Sequence, residues 1–142
     1  MPKIAMSACL AGVNCRYNGK NKKNVKLLEK HKKDEIILFC PEDAVLGTPR
    51  ETIDIVEGRA IGNETQQDYT EAIEEQAQKF IAQYPNIDII YCKSKSPSCA
   101  LCSAKIFDKN KNLLQSTGTG IFIQELQKHY KNAKFIEKDG DA

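Results

Sequence analysis

Histidine is scarce in this chain, with only two residues, so any transition-metal site it builds must be dominated by thiolates. Long apolar runs are missing as well. No stretch of about 18 apolar residues occurs, which excludes a membrane-spanning helix as the organising element. The first residues carry a short apolar run broken by Ser7, not the charged, long-apolar and small-residue succession of a secretory signal. Charge of one sign is also in short supply. Lys plus Arg number 21 and Asp plus Glu number 19, leaving a net +2, too little to argue for nucleic acid or a membrane surface as partner. The Lys20 to Lys26 basic run reads as a solvated face, and there is no internal repeat. The expectation is a cytoplasmic protein of one domain, residues 1–142, large enough to bury a core without staples.

What the chain does have is six cysteines. In a reducing compartment these argue for metal ligands or reactive thiols before a disulfide framework. Their placement is informative. Three apolar, strand-like runs each lead into a cysteine: Ile4–Ala8 into Cys9, Ile36–Phe39 into Cys40, and Ile87–Tyr91 into Cys92 and the loop through Cys99 to Cys102. In a parallel sheet the C-terminal ends of neighbouring strands lie about 4.8 Å apart along one edge, where ligands bind if the strand order reverses. Neighbouring strands would therefore bring these thiols together.

The rest of the chain supports such a sheet. Asn24 suits the cap of a helix from Val25 to about Lys33. The run Ile36–Phe39 is continuous in apolar character, as in strands covered on both faces. Gly47 and Pro49 argue against regular structure after Cys40. Residues 53–61 read as a small hairpin around Glu57-Gly58, outside the main sheet. Asp68, with Glu71 three residues on, suggests a capping box for a helix whose Ile73, Ala77, Phe80, Ile81 and Tyr84 recur at helical spacing until Pro85. A weak extended stretch, 105–107, ends at a turn over 108–112 that reads as a hairpin tip. A helix opens after Thr117–Gly120, a last strand covers 133–136, and the final few residues are expected to be disordered. The fold class is α/β, a three-layer, mainly parallel open sheet of about four to five strands with flanking helices and a small β-hairpin excursion.

For the chemistry, a structural zinc usually wants two close cysteine pairs, and only Cys99 and Cys102 have that spacing. Single cysteines from separated loops also suit an iron–sulfur cluster. Spacing leaves cluster, zinc and unligated thiols open, with Cys92 the first candidate for a buried small hydrophobe. The Gly/Thr stretch before the last helix could hold an anion at the helix N-terminus, but capping is the simpler reading. His31 and His129 fall within helical segments, where local satisfaction accounts for them.

Three motifs then point to a family. Ser7-Ala8-Cys9-Leu10 with Cys15-Arg16-Tyr17-Asn18-Gly19, Cys40-Pro41-Glu42 with Thr48-Pro49-Arg50, and Lys93-Ser94-Lys95-Ser96-Pro97-Ser98-Cys99 resemble, in that order, the signature of the thiouracil desulfurase family, long known only as a domain of unknown function. The resemblance spans about the whole chain. It implies an α/β domain holding a 4Fe-4S cluster on three cysteines, which match Cys9, Cys40 and Cys99. It further implies that the open iron takes the sulfur of a thiolated pyrimidine, that water attacks the ring carbon, and that the oxo base and sulfide result without net redox change. Glu42 is then the candidate general acid or base, with Ser96 orienting substrate or water. Arg16, Arg50 and Ser98 are candidate substrate-binding residues, with ion pairing of Glu42 to Arg50 or Arg16 and turn capping by the serines as the plainer readings. The chain departs from the family pattern at Ala100-Leu101-Cys102, where glycine usually follows the cysteine, and between Cys40 and Thr48, which lacks paired glycines. Cys15 and Cys102 therefore stand as candidates for an additional ligand or redox partner. The alternative in another class is a thiol protein carrying zinc or a persulfide, with no desulfurase activity.

Overall fold

The structure, a computed structural model, describes residues 3–140. Along the chain, β1 (Lys3–Ser7) leads through a 3-10 turn at Ala8–Ala11 and a polar loop to α1 (Val25–Lys30) and β2 (Glu35–Phe39). Then come α2 (Pro41–Leu46), β3 (Ile53–Val56), β4 (Arg59–Gly62) and α3 (Thr70–Gln83). The remainder is β5 (Ile89–Lys93), β6 (Ala104–Phe107), β7 (Leu113–Gly118), α4 (Ile121–His129) and β8 (Lys134–Lys138).

The main sheet is wholly parallel, in the order β2-β1-β5-β8. Successive residues on each strand face opposite layers, as the pleat requires. Ile4 and Met6 of β1 and Tyr91 of β5 pack with Leu27 of α1. Ala5, Ile90 and Cys92 pack on the other side with Ile73, Ala77 and Phe80 of α3 and Phe122, Ile123 and Leu126 of α4. Helices thus cover both faces. The chain winds from β1 outward to β2, then back across to β5 and β8, so the direction reverses between β1 and β5. In open parallel sheets the crevice beyond that reversal is the usual ligand site.

Several elements differ from the expectations. Residues 41–46 form α2, because Pro41 needs no N–H partner at a helix start and Glu42 and Asp43 favour the first turn; Gly47, at φ 84°, ends it. The breakers Gly47 and Pro49 lie just beyond the helix rather than within it. β2 is an edge strand, and Leu38 on it is 42% exposed, so the strand is not covered on both faces. β5 starts at Ile89 and runs through Cys92 to Lys93, so Cys92 lies inside the strand.

The hairpin over β3 and β4 is as expected, but it is half of a second sheet, β4-β3-β6-β7, in which β3 pairs in parallel with β6. The turn over 108–112 is the hairpin tip expected, joining β6 to β7; the side chains of β7 are exposed up to Gly118 and do not alternate, so the turn alone marked that strand. At the start of α3, Asp68 Oδ1 accepts the Thr70 amide at 2.9 Å, but Glu71 does not turn back to complete a capping box. Both its oxygens instead take Arg59 Nη2 at 2.8 Å. α1 is shorter than expected, with Asn24 accepting the Leu27 amide and His31 closing it. His31 is buried, bonded to Asp34 at 2.8 Å and to the Tyr91 hydroxyl at 2.6 Å. Near the C-terminus Asp139 is held by Lys93 and Ser94, while residues 141 and 142, on which the expected disorder also falls, lie outside the described residues. No helix among the described residues is long and apolar enough to cross a membrane.

The aromatic centre of the α3/α4 layer sets a test of this packing. Phe122 is almost fully buried, stacked on Phe39 at 5.0 Å and edge-on to Phe80 at 5.9 Å. Phe122→Ala is expected to cost about 3–5 kcal/mol of unfolding free energy in a urea titration, whereas Leu114→Ala, on exposed β7, should stay within about 0.5 kcal/mol.

Candidate functional site

The ends of β1 and β2 and the loop after β5 open onto one cleft of about 410 Å³, into which Cys9, Cys15, Cys40 and Cys99 all face. Cys9 sits in the 3-10 turn after β1, where its carbonyl accepts the amides of Gly12 and Lys22 and its Sγ lies 3.5 Å from Ser7 Oγ. Cys40 is the residue between β2 and α2, its Sγ 3.7 Å from the Cys15 carbonyl. Cys15 is buried beside both in a small cluster with Ala8.

Cys99 comes from the loop after β5, and α4 fixes that loop. The first N–H groups of a helix have no acceptor within it. Here Ile121 donates to the Pro97 carbonyl at 3.0 Å, and Phe122 and Ile123 donate to the Ser98 carbonyl at 3.0 and 3.2 Å. Those amides are therefore engaged, and the Gly/Thr stretch serves the loop rather than an anion. Gly120 makes the contact possible. Its φ of −61° would suit any residue, but a Cβ there would lie 2.3 Å from the Ser98 carbonyl carbon.

The opposite wall is polar. Ser98 Oγ donates to Glu42 Oε2 at 2.6 Å and lies 3.5 Å from Cys99 Sγ. Ser96 Oγ lies 3.4 Å from the same carboxylate oxygen and accepts the amides of Cys99 and Ser98 at 3.0 and 3.3 Å, so it also shapes the turn. Arg50 Nε is 3.9 Å from Glu42 Oε1, and Arg50 Nη1 donates to the carbonyls of Cys15 and Gly47. Arg16 lines the cleft with its guanidinium 5.7 Å from the Tyr17 ring centre.

The electrostatics divide the thiols. The Cys15 thiol, helped by Ser7 and by the cations Lys93 and Arg16, draws Cys9 down to about 6 against the opposing effect of burial. Cys15 also lowers Cys40, with further help from the Asp43 amide and Arg50, again against burial. Cys15 itself is raised, because its proton is shared with Cys40 and Cys9. Burial, and then the charge of Cys40, hold Cys99 well above the ordinary thiol range.

The eight residues given ligand, catalytic or substrate-binding roles from sequence, Cys9, Arg16, Cys40, Glu42, Arg50, Ser96, Ser98 and Cys99, line this cleft, and so does the additional candidate Cys15. Cys92 does not; it is fully buried within β5, where desolvation raises it to about 12. Cys102 lies exposed outside the cleft, its amide donating to Glu137 at 2.9 Å and its Sγ 3.8 Å from the same carboxylate. Sequence reasoning passed over Lys93 and Asp139. Lys93 Nζ is buried beside the cleft, 3.1 Å from Asp139 Oδ1 and 2.8 Å from the Ser94 carbonyl. Lys93 opens the Lys-Ser-Lys-Ser-Pro-Ser-Cys motif, so a signal was there; Asp139, beyond the last strand, had none.

The family model for 2-thiouracil desulfurase matches residues 4–138. The chain belongs to the 2-thiouracil desulfurase family. A relative, the uncharacterised protein YbbK of Bacillus subtilis (strain 168), is 31% identical over 132 residues, covering 83% of this chain and 85% of that protein. The solved structure of TudS, a [4Fe-4S]-dependent thiouracil desulfidase, is similar with a TM-score of 0.75 and 26% identity, covering 97% of this chain and 91% of that one. Both sheets thus belong to a shared family architecture.

The tight seat of Gly120 yields a prediction for this family member. Gly120→Ala forces the Ser98–Cys99 peptide to shift and is expected to cost about 1–3 kcal/mol of stability in urea unfolding, as overpacking does. Gly19 has open space around it and φ 77°, which asparagine tolerates, so Gly19→Asn should cost less.

Proposed function

We propose that this chain hydrolyses the C–S bond of a thiolated pyrimidine such as thiouracil, giving the oxo base and sulfide, with Cys9, Cys40 and Cys99 holding a 4Fe-4S cluster. The residues suit that group. The donors facing the cleft are thiols from three separate strand ends, the donor type that clusters take. The cleft volume falls in the range that encloses small heterocycles. Bound there, the cluster would supply Lewis acidity toward the thione sulfur.

The observation that carries the reading is the continuous contact from Glu42 through Ser98 to Cys99, at 2.6 and 3.5 Å. It sets a carboxylate and a hydroxyl beside a proposed ligand, where a proton must reach the departing sulfur. Glu42 would accept a proton from water and return it through Ser98, general acid–base work at hydrogen-bond range. Arg16 would hold the pyrimidine's oxygen or its anionic form, Arg50, its Nη1 engaged by the carbonyls of Cys15 and Gly47, would tie the loops that wall the cleft, and Ser96 would keep the Ser98–Cys99 turn in place.

Anaerobic reconstitution with iron and sulfide, followed by assay of sulfide release from 2-thiouracil, tests the reading directly. About four irons per chain are expected. Cys9→Ser, Cys40→Ser and Cys99→Ser should each lose the iron and the brown colour, while Cys92→Ser keeps them. Zinc in place of iron by metal analysis, or a persulfide by mass spectrometry without turnover, would instead support a thiol carrier. A second prediction separates chemistry from assembly: Glu42→Gln should retain iron but lose sulfide release by roughly 100-fold or more, the usual scale of a general acid–base contribution. Normal turnover in that variant would show the carboxylate to be structural.

A further inference from the structure

Arg50 is nearly sealed from solvent, its side chain 5% exposed, and its nitrogens are unequally used. Nη1 donates to the carbonyls of Cys15 (2.8 Å) and Gly47 (3.1 Å) and to Thr48 Oγ1 (2.9 Å), tying the loop after β1 to the loop after α2. Nε, by contrast, is the one buried side-chain nitrogen or oxygen among the described residues with no hydrogen-bond partner. Glu42 Oε1 stands 3.9 Å from it, beyond hydrogen-bond length. Proteins rarely leave such a group unpaired, and a ligand is one of the reasons they do.

A single oxygen about 2.8–3.0 Å from each atom closes a triangle on that 3.9 Å base. We infer that the Arg50 Nε and Glu42 Oε1 pair is the seat of the hydrolytic water, and that Arg50 is its positioning residue. This rests on the desulfurase reading and adds to it where the nucleophile starts. The two oxygens of Glu42 then have separate partners. Oε1 accepts a hydrogen from the water, while Oε2 is occupied by Ser98. The water accepts from Arg50 Nε–H, which leaves a lone pair free for the ring carbon.

The step balances without any oxidant or reductant. The water oxygen bonds to the thione carbon as one proton passes to Glu42. The C–S bond then breaks, its electron pair leaves with sulfur, and the proton returns from Glu42 through Ser98 Oγ. As the C=O forms, the regenerated Glu42 carboxylate takes the second proton from the oxygen and passes it by the same Ser98 path to sulfur, so thione and water become oxo base and hydrogen sulfide.

The test is a crystal structure of the anaerobically loaded protein, without substrate, at a resolution that shows ordered water. One water within about 3.2 Å of both Arg50 Nε and Glu42 Oε1 is expected. Nε donating directly to Glu42 or to a carbonyl, or no ordered oxygen between them, overturns the inference. Kinetics of Arg50→Lys give an independent reading, because lysine keeps the charge but has no Nε–H at that point. The expected result is unchanged iron content, kcat lower on the order of 100-fold, and KM for 2-thiouracil within about twofold, as when a reactant is misplaced. A raised KM with kcat preserved would make Arg50 a substrate clamp and overturn the inference. Should Arg50→Lys fail to fold, the wild-type structure still decides. Wild-type protein that loads iron and releases sulfide, yet holds no water there, sinks this inference alone; wild-type protein that releases no sulfide sinks the desulfurase reading.

Discussion

The grip of α4 on the loop after β5 is the contact on which the cleft depends. A helix start must find acceptors for its first amides, and this one takes them from Pro97 and Ser98. The helix that buries Phe122, Ile123 and Leu126 in the α3/α4 layer is thereby tied to the loop bearing Ser96, Ser98 and Cys99. Core packing and site geometry become one problem. Gly120 tightens the tie, since the absence of a Cβ lets the helix entry lie directly on the Ser98–Cys99 peptide. A loop held this way can present a buried thiol without regular structure of its own.

The second sheet has a comparable role on the other side. Its β3 follows α2 and the Thr48–Arg50 segment closely, so Thr52, Ile53 and Asp54 reach the cleft wall. Its β6 and β7 span the distance between the Cys99 loop and Gly120. Gly118 sits against Ile106 closely enough that a Cβ would clash at 2.5 Å, which brings the end of β7 down onto β6 just before α4 begins. The excursion is therefore a brace between the loops, which explains why two hairpins far apart in the chain pair with each other.

What was legible in the sequence was whatever local pattern controls. Apolar runs that stop at cysteines marked β1 and β2, and Glu57-Gly58 marked the hairpin of β3 and β4. The helical stripe ending at Pro85 marked α3. Less legible were features settled by distant partners. The pairing of β3 with β6, residues 53–56 against 104–107, has no local signature. β7 has exposed side chains and was marked only by the hairpin tip over 108–112 that precedes it. α2 was hidden because two breakers lie immediately after it, and the Glu71 carboxylate went to Arg59, on a strand outside the helix. In the site, residue types and motif spacing pointed to the thiols, to Glu42 and to the serines. The Lys93 to Asp139 pair depends on β8 lying beside β5, a tertiary fact.

The hidden α2 also explains why the acid is where it is. An extended chain after β2 would carry residue 42 away from the sheet edge at about 3.3 Å per residue. A helical turn starting at Pro41 keeps Glu42 close to Cys40, and from there its carboxylate meets Ser98, 56 positions later in the chain. One side chain thus links the end of β2 to the loop of β5. Half-buried anions need compensation. The 12%-exposed Glu42 side chain and the two lowered thiols are accompanied by Arg50, Lys93 and Arg16, all on the same cleft. A net charge of +2 says nothing of this, because the relevant balance is struck among a few groups drawn to one sheet edge. The fold gathers thiols, acid and cations by the same strand ends, so the chemistry of the site follows from the parallel sheet's topology.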